Sequence, residues 1–366
     1  MPEAFKDIFF QRPFFDDLVA ALQSAYPEFD ADSFLARIFD EQWDARPLKD
    51  KMRHATLTLH DFLPSDYRTA LALLRRIAPA LDRHGFEKMI FPDFVEVYGL
   101  EDWQVSLPAL EQFTQQMSAE YAVRPFIVKD RDRMMAQMLT WAHHANASVR
   151  RLASEGCRPR LPWAMALPAL KADPSPILPI LDALKTDPSE DVRRSVANNL
   201  NDISKDNPDV VLDVLRRWQA DPTPEMQKII NHALRTLVKA GHPGALELLG
   251  YSAGADVTLK NLTIEPTAIP IGEAITFAFE IESTADAPQD LVIDYVVHLV
   301  RARGKTSPKV FKLTKRTIAP GETIRISRKH SFAPVTTRRY YPGEHAVEIQ
   351  INGAAFERRS FALVEG

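Results

Sequence analysis

The sequence is poor in the residues on which several common chemistries depend. One cysteine, Cys157, in 366 residues excludes a disulfide framework and a cysteine-held zinc or iron–sulfur centre. Only seven glycines fall in residues 1–254, and they form no glycine-rich phosphate loop of either usual type. The histidines are scattered, as at His54 and His60, or adjacent without metal-ligand spacing, as at His143-His144. There is no G-x-S-x-G elbow, and Cys157 has no histidine partner in its sequence context. These absences set aside thiol, phosphate-loop and histidine–metal chemistries. No apolar run approaches the roughly 18 to 20 residues of a membrane span. The opening MPEAFKDIFF lacks a basic region followed by an apolar core, so no secretory leader and a cytoplasmic location are expected. An excess of basic charge is missing too. The 45 Lys+Arg against 49 Asp+Glu give −4, a total that by itself argues against a polyanionic partner.

What is present is an ordinary globular composition, 45% hydrophobic and 26% charged, in a chain long enough for two or three domains with real cores. Charge is unevenly distributed along it. Residues 1–254 carry 30 basic and 36 acidic side chains, whereas 255–366 carry 15 and 13. Within 301–339 there are twelve Lys/Arg and a single acid, Glu322, a local net of +11 that the average hides. The hydrophobic period switches at the same place. Upstream, Tyr67, Leu71, Leu74 and Ala78 follow a Pro64-Ser65-Asp66 start at helical spacing. Downstream, Ile275, Phe277, Phe279 and Ile281 alternate with Thr276, Ala278, Glu280 and Glu282. Period two returns at Ile293–Leu299 and Val347–Ile351, and Asn352-Gly353 then offers a two-residue hairpin turn. The expected fold is therefore multidomain α plus β. An all-α domain over 1–250 precedes an immunoglobulin-like β-sandwich of about seven strands over 256–366, with a linker at Gly250–Asp256.

The helical part contains a weak internal repeat. NASVRRLASE (146–155), SEDVRRSVANNL (189–200) and TPEMQKIINHAL (223–234) align with Val149, Val192 and Met226 in register, at separations of 43 and 34. The last two share Asp-Pro openings, Asp187-Pro188 and Asp221-Pro222. Such periods in helix pairs are the signature of a HEAT-like solenoid with a concave face. On a helical wheel Val192, Val196, Leu200 and Ile203 form the packed stripe. Arg194, Asn198 and Asp202 form a second stripe, whose ordinary reading is a solvated face. Arg151 and Glu155 take the equivalent positions in the first copy. Between the copies lies GCRPRLPWA (156–164), with Arg158 and Arg160 alternating with prolines before Trp163. Basic residues beside an exposed aromatic suit a phosphate backbone and a base or sugar face; the commoner fate of a lone tryptophan is the core. Glu120 and Arg124, four apart, read as a surface ion pair at a helix end.

At these residues the chain strongly resembles the AlkC branch of the DNA alkylation repair glycosylases. The matching segments are SAEYAVRPFI (118–127), ASVRRLASEGCRPRLPWA (147–164) and DPSEDVRRSVANNLNDISKDNPD (187–209). The resemblance covers roughly residues 1–245, and the β-rich remainder is similar to the immunoglobulin-like domain of some members. It implies a HEAT-like solenoid that acts as a monomer on duplex DNA and excises cationic N3-methylated bases without metal or redox cofactor. N3-methyladenine is the implied main substrate and N3-methylcytosine the second. The implied catalytic set is Glu120, Glu155 and Asp202, with Trp163 against the lesion nucleotide. Glu155 has the best independent case, because Arg158 and Arg160 follow it directly. The candidate phosphate contacts are Arg151, Arg158, Arg160, Arg193, Arg194 and Asn198, with Lys312, Lys315, Arg338 and Arg339 of the basic segment as a second clamp. A non-catalytic binder of damaged or bent DNA and a protein–protein adaptor are the alternatives this architecture permits.

Overall fold

The computed structural model describes residues 8–252, 254–335 and 338–365. Residues 1–7, which begin the segment read for a leader, and Ala253 in the expected linker lie outside the described residues. Helices occupy the chain to Leu248 and strands begin at Val257, so secondary structure changes class where the hydrophobic period does. No described helix is long and apolar enough to cross a membrane. Compactness divides the chain elsewhere. One unit contains the residues up to Asn207 together with Thr223–His232; the other contains Pro208–Pro222 and everything from Ala233 onward. The last helices thus belong with the strands, although their period is helical.

In the first unit the repeat segments are helices, Ala147–Glu155 and Glu190–Ile203, followed by Pro224–Ala233. Val149, Val192 and Met226 are all buried. Each start is set locally. Asn146 caps the first by accepting from the Ser148 amide at 2.8 Å. Asp187 turns the chain into the second by accepting from the Ser189 amide at 2.8 Å. Arg150 of the first copy grips that same Asp187 through Nε at 2.5 Å and Nη2 at 2.9 Å, so one repeat is fastened to the opening of the next.

The Ala147–Glu155 helix packs on Glu190–Ile203, and also on Arg131–Trp141 and Leu178–Leu184. A helix inside such a stack is covered on more than one side. Val192, Val196, Leu200 and Ile203 are buried as expected, but so are Ser195, Asn199 and Asp202. Ser195 Oγ lies 3.0 Å from Ser154 Oγ, and Asn199 Nδ2 donates to the Ser154 carbonyl at 2.8 Å. The expected polar stripe is therefore split. Arg194 is exposed, Asn198 half-buried and Asp202 buried.

In the second unit eight strands are described: β1 (Val257–Glu265), β2 (Ala268–Pro270), β3 (Ala274–Ser283), β4 (Gln289–Val300), β5 (Thr306–Ile318), β6 (Thr323–Ser331), β7 (Gly343–Ile351) and β8 (Ala354–Val364). They form a three-stranded sheet, β1-β3-β6, and a five-stranded sheet, β2-β8-β7-β4-β5. The inward residues of β3 meet Ile293, Tyr295, Val297 and Leu299 of β4 in one core. Each fully buried aliphatic there contributes about 1.5–3 kcal/mol of hydrophobic stabilisation. Asn352 (φ 45°) and Gly353 (φ 78°) make the β7–β8 hairpin turn, both left-handed as a two-residue hairpin requires. Val292, Asp294 and Val296, on the other face of β4, are buried as well. The Arg235–Lys239 helix lies against β5, the neighbour of β4 in the five-stranded sheet.

Candidate active site

The end of the Ala147–Glu155 helix, the loop after it and the Glu190–Ile203 helix bring three carboxylates into one ion network. Glu155 Oε1 accepts from Arg158 Nη1 at 2.5 Å, and its Oε2 accepts from Ser195 Oγ at 2.5 Å. Arg158 Nε donates to Asp202 Oδ2 at 2.8 Å, and the other Asp202 oxygen takes Lys205 Nζ at 2.9 Å. On the opposite side Arg151 lies 3.7 Å from Glu155 and donates to Glu120 Oε2 at 3.1 Å. Ser118 Oγ also donates to that Glu120 oxygen, at 2.7 Å. The order Glu120–Arg151–Glu155–Arg158–Asp202–Lys205 alternates charge along its whole length. Glu155 and Asp202 are nearly inaccessible, while Glu120 keeps 15% and Arg151 35% of its side chain exposed.

Burial works against the charge on Arg158, but Glu155 and Asp202 outweigh it and hold the guanidinium above its ordinary pKa. This arginine therefore stays charged between two carboxylates and is 7% exposed. Both carboxylates hold its side chain inside the network. Asp202 is a buried partner of Arg158 rather than part of an open polar stripe. The Cys157 thiol, fully enclosed, is pushed up to about 12 by burial, which keeps it protonated and unreactive.

The other expected DNA contacts are more accessible. Arg160 pairs with Asp206 through both nitrogens, at 2.8 and 2.6 Å, with 38% of its side chain exposed. Arg194 is more open and pairs with Glu190 and Asp191 of its own helix. Arg193 donates to the Asp187 and Pro188 carbonyls. Asn198 Oδ1 lies 2.8 Å from His232 Nε2. Arg193, Arg194, Lys228 and His232, with Glu190 and Glu225, line an open cavity of about 160 Å³. In the strand-bearing unit Lys312, Lys315 and Arg339 are exposed. Lys315 sits 4.9 Å from the Tyr251 ring, and Arg339 5.4 Å from the Tyr341 ring. Arg338 is half-buried and donates to Tyr340 Oη at 3.1 Å.

Trp163 is not in the core. Its residue is 58% exposed, and its backbone is left-handed at φ 63°, an uncommon state for a bulky side chain. The loop that carries it is built around Arg124, which is completely buried rather than part of a surface ion pair. Arg124 donates through Nε to the Met165 carbonyl at 2.7 Å and through Nη1 to the Gly156 and Arg158 carbonyls at 3.0 and 2.9 Å. Burial lowers its pKa to about 10, so it remains a cation at neutral pH. Lys49, from the far side of the sequence, donates to the Trp163 carbonyl at 2.7 Å and lies 4.9 Å from the Tyr121 ring. Burial first, then the charges of Glu120 and Glu155, push Tyr121 up to about 12. Lys49, Tyr121, Ser195 and Lys205 were not among the expected residues. Tyr121, Ser195 and Lys205 lie inside the matching segments quoted above, whereas Lys49 lies outside them.

The comparisons with known proteins agree with this organisation. Residues 101–237 match the family model described as DNA alkylation repair enzyme, and residues 258–365 match that of the YhaZ C-terminal Ig-like domain. The uncharacterized protein YhaZ of Bacillus subtilis (strain 168) is 45% identical over 346 residues, covering 94% of this chain and 96% of its own. A solved structure of the Pseudomonas fluorescens alkylpurine DNA glycosylase AlkC, bound to DNA containing an abasic site analog, matches with 40% identity and a TM-score of 0.93. The match covers 99% of this chain and 100% of that one. With likeness at this level across both units, the chain belongs to the DNA alkylation repair enzyme family, in the group that contains AlkC and YhaZ.

Proposed function

We propose that the protein is a monofunctional DNA glycosylase that hydrolyses the N-glycosidic bond of cationic N3-methylated bases in duplex DNA, chiefly N3-methyladenine and secondarily N3-methylcytosine. The observation that carries this reading is the alternating network of Glu120, Glu155 and Asp202 with Arg151 and Arg158, next to a loop that presents Trp163 to solvent. The likeness to an alkylpurine DNA glycosylase supports it.

Methylation at N3 makes the base a cation, so the bond to C1′ breaks with its electron pair returning to the base, which leaves neutral. Little general-acid help is needed. Positive charge moves onto the deoxyribose, as in other glycoside cleavages. Negative charge fixed in advance beside the sugar stabilises that state. Glu155 is oriented by Ser195, Arg151 and Arg158 before any substrate arrives, which limits reorganisation during the reaction. Water then adds to C1′ and releases its proton to a carboxylate, and Glu120, the most open of the three, is suited to accept it. Arg160 and Arg194 on the helical unit, and Lys312, Lys315 and Arg339 on the other, engage phosphates and carry no sequence preference.

The test is release of free base from methylated duplex DNA, with N3-methyladenine, N3-methylcytosine and N7-methylguanine separated chromatographically. Release of the N3-methylated bases is expected, and Glu155→Gln should slow it by roughly 10² or more. Wild-type protein that binds methylated duplex and releases no base at any salt concentration is a binder only. Affinity no greater for methylated DNA than for an unrelated acidic polymer would make it an adaptor.

A further inference from the structure

We infer that Lys49 is a positioning residue whose task is to hold Trp163 in its working orientation, a role that rests on the glycosylase reading above. Trp163 combines two states that do not sustain themselves. The residue is 58% exposed, so it gains little from burial, and its backbone is left-handed at φ 63°, which a bulky side chain adopts only when its surroundings impose it. The peptide must therefore be held from outside.

Two cations hold it. Arg124 fixes the Gly156, Arg158 and Met165 carbonyls from inside the fold. It secures the base of the loop and the residue two beyond Trp163. Lys49 takes the Trp163 carbonyl at 2.7 Å. It reaches there from the first turn of the Leu48–Phe62 helix, which Pro47 precedes. Its ammonium lies 4.9 Å from the Tyr121 ring, a neutral phenol beside Glu120, so the cation is held over a π face. Lys49 thus joins the Trp163 peptide to the segment that carries Glu120. Loss of that tie loosens the Trp163 peptide relative to the carboxylates, and a misplacement of about 1 Å is enough to slow a positioned reaction.

The experiment uses the full-length chain with 5-fluorotryptophan at its five tryptophans, the Trp163 signal being assigned with Trp163→Phe. In Lys49→Met the ¹⁹F resonance of Trp163 should move or broaden while the other four stay in place. Single-turnover release of N3-methyladenine should fall roughly tenfold or more, as expected for loss of a charge-assisted hydrogen bond, and Lys49→Arg should restore most of it. In a Trp163→Ala background, Lys49→Met should add less than about a twofold further loss. A Trp163 resonance unchanged in Lys49→Met overturns the inference. So does a full additional loss in the Trp163→Ala background, which would make Lys49 a contact to DNA in its own right. If the wild-type protein releases no base, the glycosylase reading fails, and the fluorine spectra still decide whether Lys49 holds Trp163.

Discussion

A guanidinium between two carboxylates either holds them in place or is lent to a substrate, and for Arg158 burial decides. Its side chain is 8% exposed and bonds to Glu155 and Asp202. Removing it leaves two enclosed carboxylates short of a partner, at a cost of about 3–5 kcal/mol. Arg158→Met is therefore expected to lower the melting temperature sharply without changing the salt dependence of DNA binding. Arg194→Ala should do the reverse. Its side chain is 57% exposed, so stability should stay within about 0.5 kcal/mol, while the slope of log Kobs against log[salt] falls by about 0.9 if it meets one phosphate. Thermal melts and a salt titration of both variants separate the roles, and a shallower slope for Arg158→Met would return it to the phosphate contacts. The site was legible as a set of residue types but not as an arrangement. Arg158 and Arg160 look alike in sequence, because alternation with proline carries no period that sorts one inward. What sorts them is Asp202, 44 residues on from Arg158. Lys49, 114 residues from Trp163, leaves no local trace at all.

Among elements, the strands were the most legible, because a two-residue period with β-branched and aromatic residues fixes both type and face. β3, β4 and β7 run where the alternation placed them. The docking of the last helices on the strands was not legible, since it depends on a close backbone approach. A Cβ on Gly241 would sit 2.5 Å from the Gly353 carbonyl oxygen, and Gly241 is left-handed at φ 70°. Gly250 is also left-handed, at φ 81°, but a Cβ there would meet nothing within 4 Å among the described residues. Gly250→Ala should cost about 1–2 kcal/mol, the left-handed penalty alone, and Gly241→Ala clearly more; equal denaturation midpoints would refute the backbone contact. A second prediction concerns β6. His330 shares its Nδ1 with the Tyr295 hydroxyl at 2.9 Å, and its Nε2 is enclosed without a partner among the described residues. Burial above all, with Arg328 adding, pushes it down to about 4 from an ordinary 6.5. The unfolded chain thus takes up a proton that the folded one refuses over that interval. Stability is fully present above pH 6.5 and is lost as pH falls toward 4, by up to about 3 kcal/mol. Urea melts between these pH values should show a smaller loss in His330→Gln; an identical loss would assign it elsewhere.

For the whole molecule the question is whether the basic segment acts on DNA, and the fold determines how to ask it. Cutting the chain before Val257 would remove the strands against which Arg235–Lys239 packs and the Gly353 turn that Gly241 abuts. Weakened binding by such a fragment would mix lost charge with damaged helices. Neutralising the cations in place keeps the fold. Lys312, Lys315 and Arg339 are exposed, whereas Arg338 is engaged with Tyr340, so the informative variant is Lys312→Gln, Lys315→Gln and Arg339→Gln together. If each meets a phosphate, the salt slope should fall by roughly 0.9 per residue, up to about 3 in all. Base release at saturating protein should be unchanged, because these side chains lie on a different compact unit from the carboxylate network. Lys260→Gln is the control, since Lys260 is already paired with Glu282, and should leave the slope as it is. A triple variant with wild-type slope would mean that the +11 segment serves something other than DNA. The −4 total of the chain would then describe its partners better than the charge distribution does.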